Sequence, residues 1–220
     1  MTNDTITVKR HRFLYRSLHW LMVTEILILL LSGLNVSANI NVAFISRGVS
    51  RNLHIIAGLA WISTTTFYLY YFIMSGESRW FGLSKIGHAF DFFVHDAKRY
   101  IEGKKVKSPI GYGTKKKRYV EKVRPSAILA WWGWFGLWIV MVFTGLAILF
   151  PESFYGINRV CHAILPAFGK AAGATRRIHM VASMVIVTYI FIHAYAVWTF
   201  GLMGSMISGT QIESVVDPEK

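Results

Sequence analysis

Four long apolar stretches, separated by polar segments, set the pattern of this chain. They span 17–37, 54–74, 128–149 and 178–201. A helix of about 20 apolar residues crosses the hydrocarbon core of a bilayer while satisfying all its own backbone hydrogen bonds. The pattern therefore predicts an all-α fold, an integral membrane four-helix bundle that forms a single domain over residues 1–220.

Composition supports this prediction. Hydrophobic residues make up 54% of the chain and charged residues only 16%, whereas soluble domains have about 25% charged residues. Several tryptophans lie near the ends of the apolar stretches, where aromatic rings favour the membrane interface. These are Trp20, Trp80, Trp131, Trp132 and Trp198. The first stretch contains a His and a Glu and no small-residue cleavage site follows it, so we expect a retained helix rather than a cleaved signal.

The distribution of positive charge predicts the orientation. The formal net charge is +13 at pH 7, and Lys and Arg are concentrated in residues 1–16 and 75–127. By the positive-inside rule, both termini and the 75–127 loop are cytoplasmic, which predicts a multi-pass membrane protein. Because the basicity follows this topology, it favours contact with anionic lipids or an acidic partner protein over nucleic acid.

The 75–127 loop is expected to contain one more helix. Residues 83–103 have apolar side chains at helical spacing, which predicts an amphipathic helix on the membrane face or against a partner. These are Ile86, Phe90, Phe93, Val94 and Ala97. The Gly-, Lys- and Pro-rich segment that follows predicts an extended loop. The single cysteine, Cys161, is not part of a C-x-x-C-H motif, which excludes an internal disulfide and covalent c-type haem.

Four histidines lie within or at the ends of the predicted spans. His179 and His193 are fourteen residues apart, which corresponds to about 21 Å of helix rise and nearly the same helix face. The predicted topology places His54 and His179 in the outer half of the membrane, and His19 and His193 in the inner half. The other four histidines are expected at the surface.

Paired imidazoles at two depths indicate two haems b. Two neutral imidazoles on facing helices can ligate one haem iron, which offsets the cost of burying them in a membrane. The predicted iron ligands are His54 with His179 and His19 with His193. Zinc is disfavoured because the two pairs are too far apart to share one ion and have no thiol or carboxylate cluster beside them.

Other residues near these histidines are candidates for contact with the haems. Gly33 lies at the depth of the outer pair, and its missing side chain is expected to let the macrocycle approach; Gly58 and Gly145 are expected to act similarly. Arg16, Arg176 and Arg177 lie within about one turn of a histidine. They are candidate partners of haem propionates, or they simply place positive charge at a helix end.

Several segments resemble the gamma subunit of respiratory formate dehydrogenases, a four-helix dihaem cytochrome b. They read FLYRSLHWLMVTEILILLLSG, LHIIAG, FTGLAILFP, RRIHM and YIFIHAYAVWTFGLMGSMISGT. The resemblance extends from about residue 9 to residue 210, and the cytochrome b subunit of membrane-bound nickel–iron hydrogenases is a close cousin. The ligand positions of that family fall on His19, His54, His179 and His193.

The resemblance implies a respiratory electron-transfer subunit of a bacterial or archaeal cytoplasmic (inner) membrane that is not itself the catalytic subunit. An iron–sulfur partner, attached to a catalytic subunit, would pass electrons to the outer haem; they would cross to the inner haem and reduce menaquinone or ubiquinone. Candidate residues of the quinone site are His193, Tyr112 and Glu25. This chain has Gly111 where the formate dehydrogenases carry an asparagine before their third helix.

Alternatives remain at this point. The chain is also compatible with a hydrogenase cytochrome b subunit, with a transmembrane haem reductase that works alone, and with a haem-free scaffold. Glu25 has two interpretations. A carboxyl group inside a span is expensive unless it is protonated, paired or hydrated, so it either delivers protons to the quinone or is held by a hydrogen bond from a neighbouring helix, such as one from Thr64–Thr66.

Overall fold

Long helices occupy all four predicted spans. The computed structural model describes residues 5–38, 45–103, 110–168 and 170–216. Its α-helices, in chain order, are α1 (Phe13–Ala38), α2 (Arg47–Met74), α3 (Ile86–Ile101), α4 (Pro125–Leu149), α5 (Tyr155–Ile164), α6 (Ala171–Thr199) and α7 (Met203–Ser208). Of these, α1, α2, α4 and α6 are long and apolar enough to cross a membrane. The prediction of an all-α membrane bundle is confirmed.

The long helices begin earlier than the apolar stretches that predicted them. α2 starts at Arg47 and α6 at Ala171, seven residues before the predicted spans. Each of the two added segments, 47–53 and 171–177, contains two arginines. A helix that extends past the hydrocarbon core needs no apolar sequence there. α4 begins at Pro125, a residue well suited to the first turn because that position needs no backbone donor.

The chain divides into two compact units. The first, which we call the terminal unit, comprises residues 1–16, 71–133 and 197–220; the second, the helical unit, comprises 17–70 and 134–196. The helical unit contains the middle of every long helix and all four histidines of the predicted pairs. The terminal unit contains α3, α7 and the short strands.

Short strands in the terminal unit are the main departure from the predicted architecture. β1 (Thr5–Lys9) pairs antiparallel with β4 (Thr210–Ser214), and β2 (Gly111–Gly113) pairs with β3 (Arg118–Glu121). The prediction of an extended loop after α3 is therefore wrong for residues 111–121, which form a hairpin. Lys117 takes a positive φ of 48° at its turn. Residues 104–109 of the predicted loop lie outside the described residues.

Ion pairs of two buried cations connect distant segments of the terminal unit. Arg10 pairs with Glu213, joining the two ends of the chain, and the Nζ of Lys122 lies 2.5 Å from a carboxylate oxygen of Glu77. Burial lowers the pKa of Lys122. Burial and the nearby Glu213 carboxylate raise the pKa of Tyr119, whose hydroxyl lies 3.3 Å from that carboxylate.

The predicted amphipathic helix is confirmed as α3, from Ile86 to Ile101. Three residues of its apolar stripe, Phe90, Phe93 and Val94, are exposed on the polypeptide. Apolar side chains at helical spacing on one exposed face suit a membrane surface or a partner. Contact of this face with the membrane surface or with a partner protein stays a prediction.

The core of the helical unit lies at mid-length of the long helices. Met22, Trp61 and Ile186 are buried and pack against a ring of partly buried apolar side chains from α1, α2, α4 and α6. Ile186 is seven residues from His179 and seven from His193, or about 10 Å of helix rise from each. A packed apolar and aromatic layer therefore separates the two histidine depths.

The connection between α4 and α6 contains an unpredicted helix, α5, fixed by one buried amide. The side-chain nitrogen of Asn158 donates to the carbonyl of Ala147 at 3.2 Å, and its oxygen accepts from the hydroxyl of Thr175 at 2.6 Å. Both the donor and the acceptor capacity of a buried amide are thus used, as a low-dielectric interior requires. This single residue links α5 to the end of α4 and to the start of α6.

Candidate functional site: two histidine pairs

The structure brings the four histidines together in the two predicted pairs. The ring centroids of His54 and His179 are 6.4 Å apart, with an angle of 74° between the ring planes. The centroids of His19 and His193 are also 6.4 Å apart, with an angle of 55°. Helices α2 and α6 supply the first pair, and α1 and α6 supply the second.

This separation suits one metal ion between the two rings of each pair. With a metal–imidazole nitrogen bond of about 2.0 Å, two imidazoles on opposite sides of a metal have centroids roughly 6 Å apart. Among the described residues, no group of three or more His, Cys, Asp or Glu side chains is placed to hold a metal ion. Two protein ligands without a third suit a haem iron, whose other ligands come from the macrocycle.

Each histidine of the His54–His179 pair is hydrogen-bonded through Nδ1. Nδ1 of His54 lies 3.1 Å from the hydroxyl oxygen of Ser32 and 3.1 Å from the carbonyl oxygen of Leu29, both on α1. Nδ1 of His179 lies 2.8 Å from the hydroxyl oxygen of Thr144 on α4. Within the described residues, the hydrogen bonds to both rings are made at Nδ1, which leaves Nε2 available to a metal.

A glycine follows each of these hydroxyl residues, and it makes room for the imidazole. A Cβ added at Gly33 would lie 3.2 Å from Cε1 of His54, and one added at Gly145 would lie 3.4 Å from Cε1 of His179. Gly58 is different, because its nearest neighbour would be Leu29 at an ordinary 3.8 Å. Gly33 was expected to admit the macrocycle; its nearest neighbour in the structure is the ring of the proposed ligand His54.

The His19–His193 pair has aromatic surroundings. The ring of Tyr189, one turn before His193 on α6, stacks on it with centroids 6.1 Å apart and planes 10° apart. Trp20 lies edge-on to His19 at 5.6 Å. Within the described residues, neither of these two histidines has a hydrogen bond to a ring nitrogen of the kind seen at His54 and His179.

The three candidate arginines have different environments. The guanidinium of Arg16 donates a hydrogen bond to the carbonyl of Ile207, at the end of α7, and lies over the ring of Phe13. Arg176 and Arg177 are exposed near the start of α6. Their role toward haem propionates stays a prediction.

The quinone-site candidates are divided between the two units. Tyr112 belongs to the terminal unit, where it lies in β2 with its ring edge-on to Tyr119 at 5.3 Å. Glu25 and His193 belong to the helical unit. Glu25 is buried and accepts a hydrogen bond from the hydroxyl of Thr64 at 2.8 Å, as one of the two interpretations of this residue expected.

Ser32 and Thr144 are site residues that the sequence analysis missed. Serine and threonine occur throughout the long helices, most of them bonded to their own helix backbone. The only local signal is that each precedes a glycine, in the dipeptides Ser32-Gly33 and Thr144-Gly145.

Comparison with known proteins supports the chemistry that the paired histidines suggest. The family model described as prokaryotic cytochrome b561 matches residues 10–209, a range that contains all four paired histidines and all four long helices. No curated protein matches the chain. Proteins of the matched family are helical membrane proteins that bind haem b and transfer electrons. The chain therefore belongs to the prokaryotic cytochrome b561 family.

Proposed function

We propose that this chain is the membrane subunit of a respiratory oxidoreductase, in which two haems b carry electrons from an iron–sulfur partner to a quinone. The observation that carries the proposal is the equal spacing of two histidine pairs, 6.4 Å in each. An imidazole without a binding partner is energetically costly to place inside a membrane. Two pairs with the same separation, one at each side of a packed core, would each supply two imidazoles to one haem iron.

Each part of the helical unit has a role in this proposal. His54 and His179 hold one haem, and His19 and His193 hold the other. When bound, each haem would accept and donate one electron at a time. The core around Trp61 and Ile186 fixes the distance between the ligand pairs and excludes water from the layer between them. Membership of a haem-binding family weighs against the alternative of a haem-free scaffold.

The positive-inside rule supports a direction for the electron path. With both termini cytoplasmic, the His54–His179 pair lies toward the periplasm and the His19–His193 pair toward the cytoplasm. The donor would then dock at the outer side, and the quinone would be reduced near the inner side. The resemblance to formate dehydrogenase gamma subunits favours a formate-oxidising complex, with the nickel–iron hydrogenase cytochrome as the alternative.

Haem content of single variants tests the ligand assignment. Purified wild-type protein should contain two haems b per chain. His54→Ala and His179→Ala should each remove the same haem, and His19→Ala and His193→Ala should each remove the other. His88→Ala is the matched control, because His88 is exposed on α3 and its loss should leave both haems in place. Loss of the same haem on replacing His54 and His193 would contradict the pairing.

Co-purification tests the partner. In mild detergent, the native complex should retain an iron–sulfur subunit and a catalytic subunit, and the activity of the latter separates formate oxidation from hydrogen oxidation. Formate-dependent haem reduction supports the first assignment, and hydrogen-dependent reduction supports the second. Reduction of a soluble acceptor by the isolated chain, with no partner present, would instead favour a reductase that works alone.

Glu25→Gln tests whether the buried carboxyl group supplies protons to the quinone. Glutamine keeps an acceptor for the Thr64 hydroxyl, so the helix contact should survive. We expect normal haem content and normal quinone reduction, which assigns Glu25 a structural role. A fall in steady-state quinone reduction, with haem reduction by the donor unchanged, would instead place Glu25 on the proton path.

A further inference from the structure

We propose that the two hydroxyl–glycine dipeptides, Ser32-Gly33 and Thr144-Gly145, fix the tautomer of His54 and His179 and lower the reduction potential of the haem that these histidines hold. Ser32 and Thr144 are thus positioning residues that act on the iron through its ligands. This inference rests on the proposed ligand assignment.

The proton of His54 is located by its two partners. Nδ1 lies 3.1 Å from the carbonyl oxygen of Leu29, which can only accept a hydrogen bond. Nδ1 therefore carries the ring proton. The hydroxyl of Ser32 donates to the carbonyl of Ile28 at 2.6 Å, so its oxygen is free to accept from the same Nδ1–H group at 3.1 Å. Nε2 is left with its lone pair.

The same reasoning applies to His179 with one partner. The hydroxyl of Thr144 donates to the carbonyl of Val140 at 2.6 Å, one turn earlier on α4. With that proton committed, the threonine oxygen accepts from Nδ1–H of His179 at 2.8 Å. Both ligands of this pair thus carry their proton on Nδ1 and present Nε2, the nitrogen that a metal requires deprotonated.

The glycines leave space for the imidazoles beside these hydrogen bonds. Each follows directly after its hydroxyl residue, at the point where the imidazole edge meets the helix backbone. A Cβ added at Gly33 would lie 3.2 Å from Cε1 of His54, so the ring would have to shift by a few tenths of an ångström. A Cβ added at Gly145 would lie 3.4 Å from Cε1 of His179, which is van der Waals contact, so a side chain that branches beyond Cβ would crowd the ring. The hydroxyl and the glycine therefore act as one unit on each helix.

The expected consequence is a difference between the two haems. An Nδ1–H group that donates a hydrogen bond makes the imidazole a stronger donor to the metal. A stronger donor stabilises ferric over ferrous iron and so lowers the potential. Hydrogen bonds of this kind are present at His54 and His179 and, within the described residues, absent at His19 and His193. The His54–His179 haem should therefore be the one of lower potential, which favours electron flow away from it.

A redox titration of hydroxyl variants tests the proposal. Thr144→Val removes the hydroxyl while keeping the shape of the side chain, and Ser32→Ala does the same on α1. Matched controls are Thr188→Val and Ser63→Ala, whose hydroxyls also bond back to their own helices but are exposed. The two haems are assigned beforehand from the potential that disappears in His54→Ala and in His19→Ala.

We expect the potential of the His54–His179 haem to rise in Thr144→Val and to rise less in Ser32→Ala, where Leu29 still accepts from His54. The electron paramagnetic resonance signal of its ferric form should change as well, while the other haem and both control variants stay as in wild type. Thr144→Ser, which keeps the hydroxyl, should retain the wild-type potential.

Two outcomes separate this inference from the proposed function. Unchanged potentials and spectra in both hydroxyl variants, with full haem content, would overturn the inference and leave the ligand assignment intact. Retention of both haems in His54→Ala would overturn the assignment itself. If Thr144→Val loses the haem, its release is compared with that from Thr144→Ser. Loss of the hydrogen-bond partner of a metal ligand typically weakens metal binding roughly 10–100-fold, so retention by serine alone supports the role of the hydroxyl, and equal loss overturns it.

Discussion

The two histidine pairs have the same separation and different surroundings. In both, the ring centroids are 6.4 Å apart. Hydroxyl groups beside glycines bind His54 and His179, whereas aromatic rings contact His19 and His193. If each pair holds a haem, as proposed, ligation would constrain only the separation of the two imidazoles, so the surroundings are free to differ. The surroundings are the part of the structure that would distinguish the two proposed haems.

The difference also shows how a membrane helix can present a hydroxyl group at low cost. Ser32 and Thr144 each donate to a carbonyl of their own helix, so no donor is left unsatisfied in an apolar environment. The same oxygen can then accept a proton from an imidazole. Stacking of an aromatic ring on an imidazole needs no such arrangement, because the ring face has no hydrogen-bond donor that must be satisfied.

The largest expected effect comes from filling the space beside one pair. Gly145→Val should remove the haem held by His54 and His179 and leave the other in place, because the new side chain would occupy the edge of the His179 ring. The measurement is the haem content and the number of redox steps of the purified protein.

Gly136→Val is the control for this change. Gly136 lies on the same helix, and a Cβ added there meets no atom within 4 Å. It should retain both haems. Equal loss of both haems in Gly145→Val, or loss in the control, would show that the glycine supports the helix as a whole and not one pair.

A change in the layer between the pairs should affect both of them. Trp61 is buried and lies edge-on to Trp134 with ring centroids 5.9 Å apart. Trp61→Ala should lower the free energy of unfolding by about 3–5 kcal/mol, the usual cost of truncating a buried aromatic residue. Thermal release of haem in detergent checks this, with Phe67→Ala, a half-exposed residue of α2, as the control. Selective release from one pair would contradict a shared core.

Asn158→Ala should act on the His54–His179 pair, with a smaller effect. Its amide binds Thr175, which lies four residues before His179 on α6. Removing the amide leaves the hydroxyl and the Ala147 carbonyl without this partner, at a cost of about 1–3 kcal/mol. We expect faster release of that haem and little change at the other. Visible absorbance measures the release of each haem. Equal acceleration at both haems would show that α5 stabilises the entire unit.

These three predictions depend on features that the sequence reveals unequally. The spans and the histidine pairing were predictable, because helix rise and turn angle follow from residue spacing alone. The strands at the two ends of the chain were not predictable. They pair residues about 200 positions apart, as the contact between Arg10 and Glu213 also does, and such pairing leaves no local signal in the sequence. Ser32 and Thr144 were missed because nothing in the sequence separates them from residues such as Ser63 and Thr188, whose hydroxyls bond, among the described residues, only to their own helices. Only the folded structure shows which hydroxyl faces a histidine.

The smallest expected effect concerns the aromatic contact of the other pair. The ring of Tyr189 stacks on His193, and its centroid lies 5.6 Å from that of Trp134 on α4. Tyr189 therefore packs between the imidazole and α4. An aromatic pair contributes about 0.5–1.5 kcal/mol beyond its buried area. Tyr189→Leu should therefore weaken retention of the haem held by His19 and His193 by about 2- to 10-fold, while Tyr189→Phe keeps the ring and should retain it as wild type does.

The result of this last change sharpens the comparison between the pairs. If stacking is what positions His193, the leucine variant loses haem selectively and the His54–His179 haem keeps its potential and its rate of release. If Tyr189→Phe loses as much as Tyr189→Leu, the phenolic hydroxyl is the group that matters. The second pair would then also depend on a polar contact, and the distinction between hydroxyl-bonded and aromatic surroundings would be wrong.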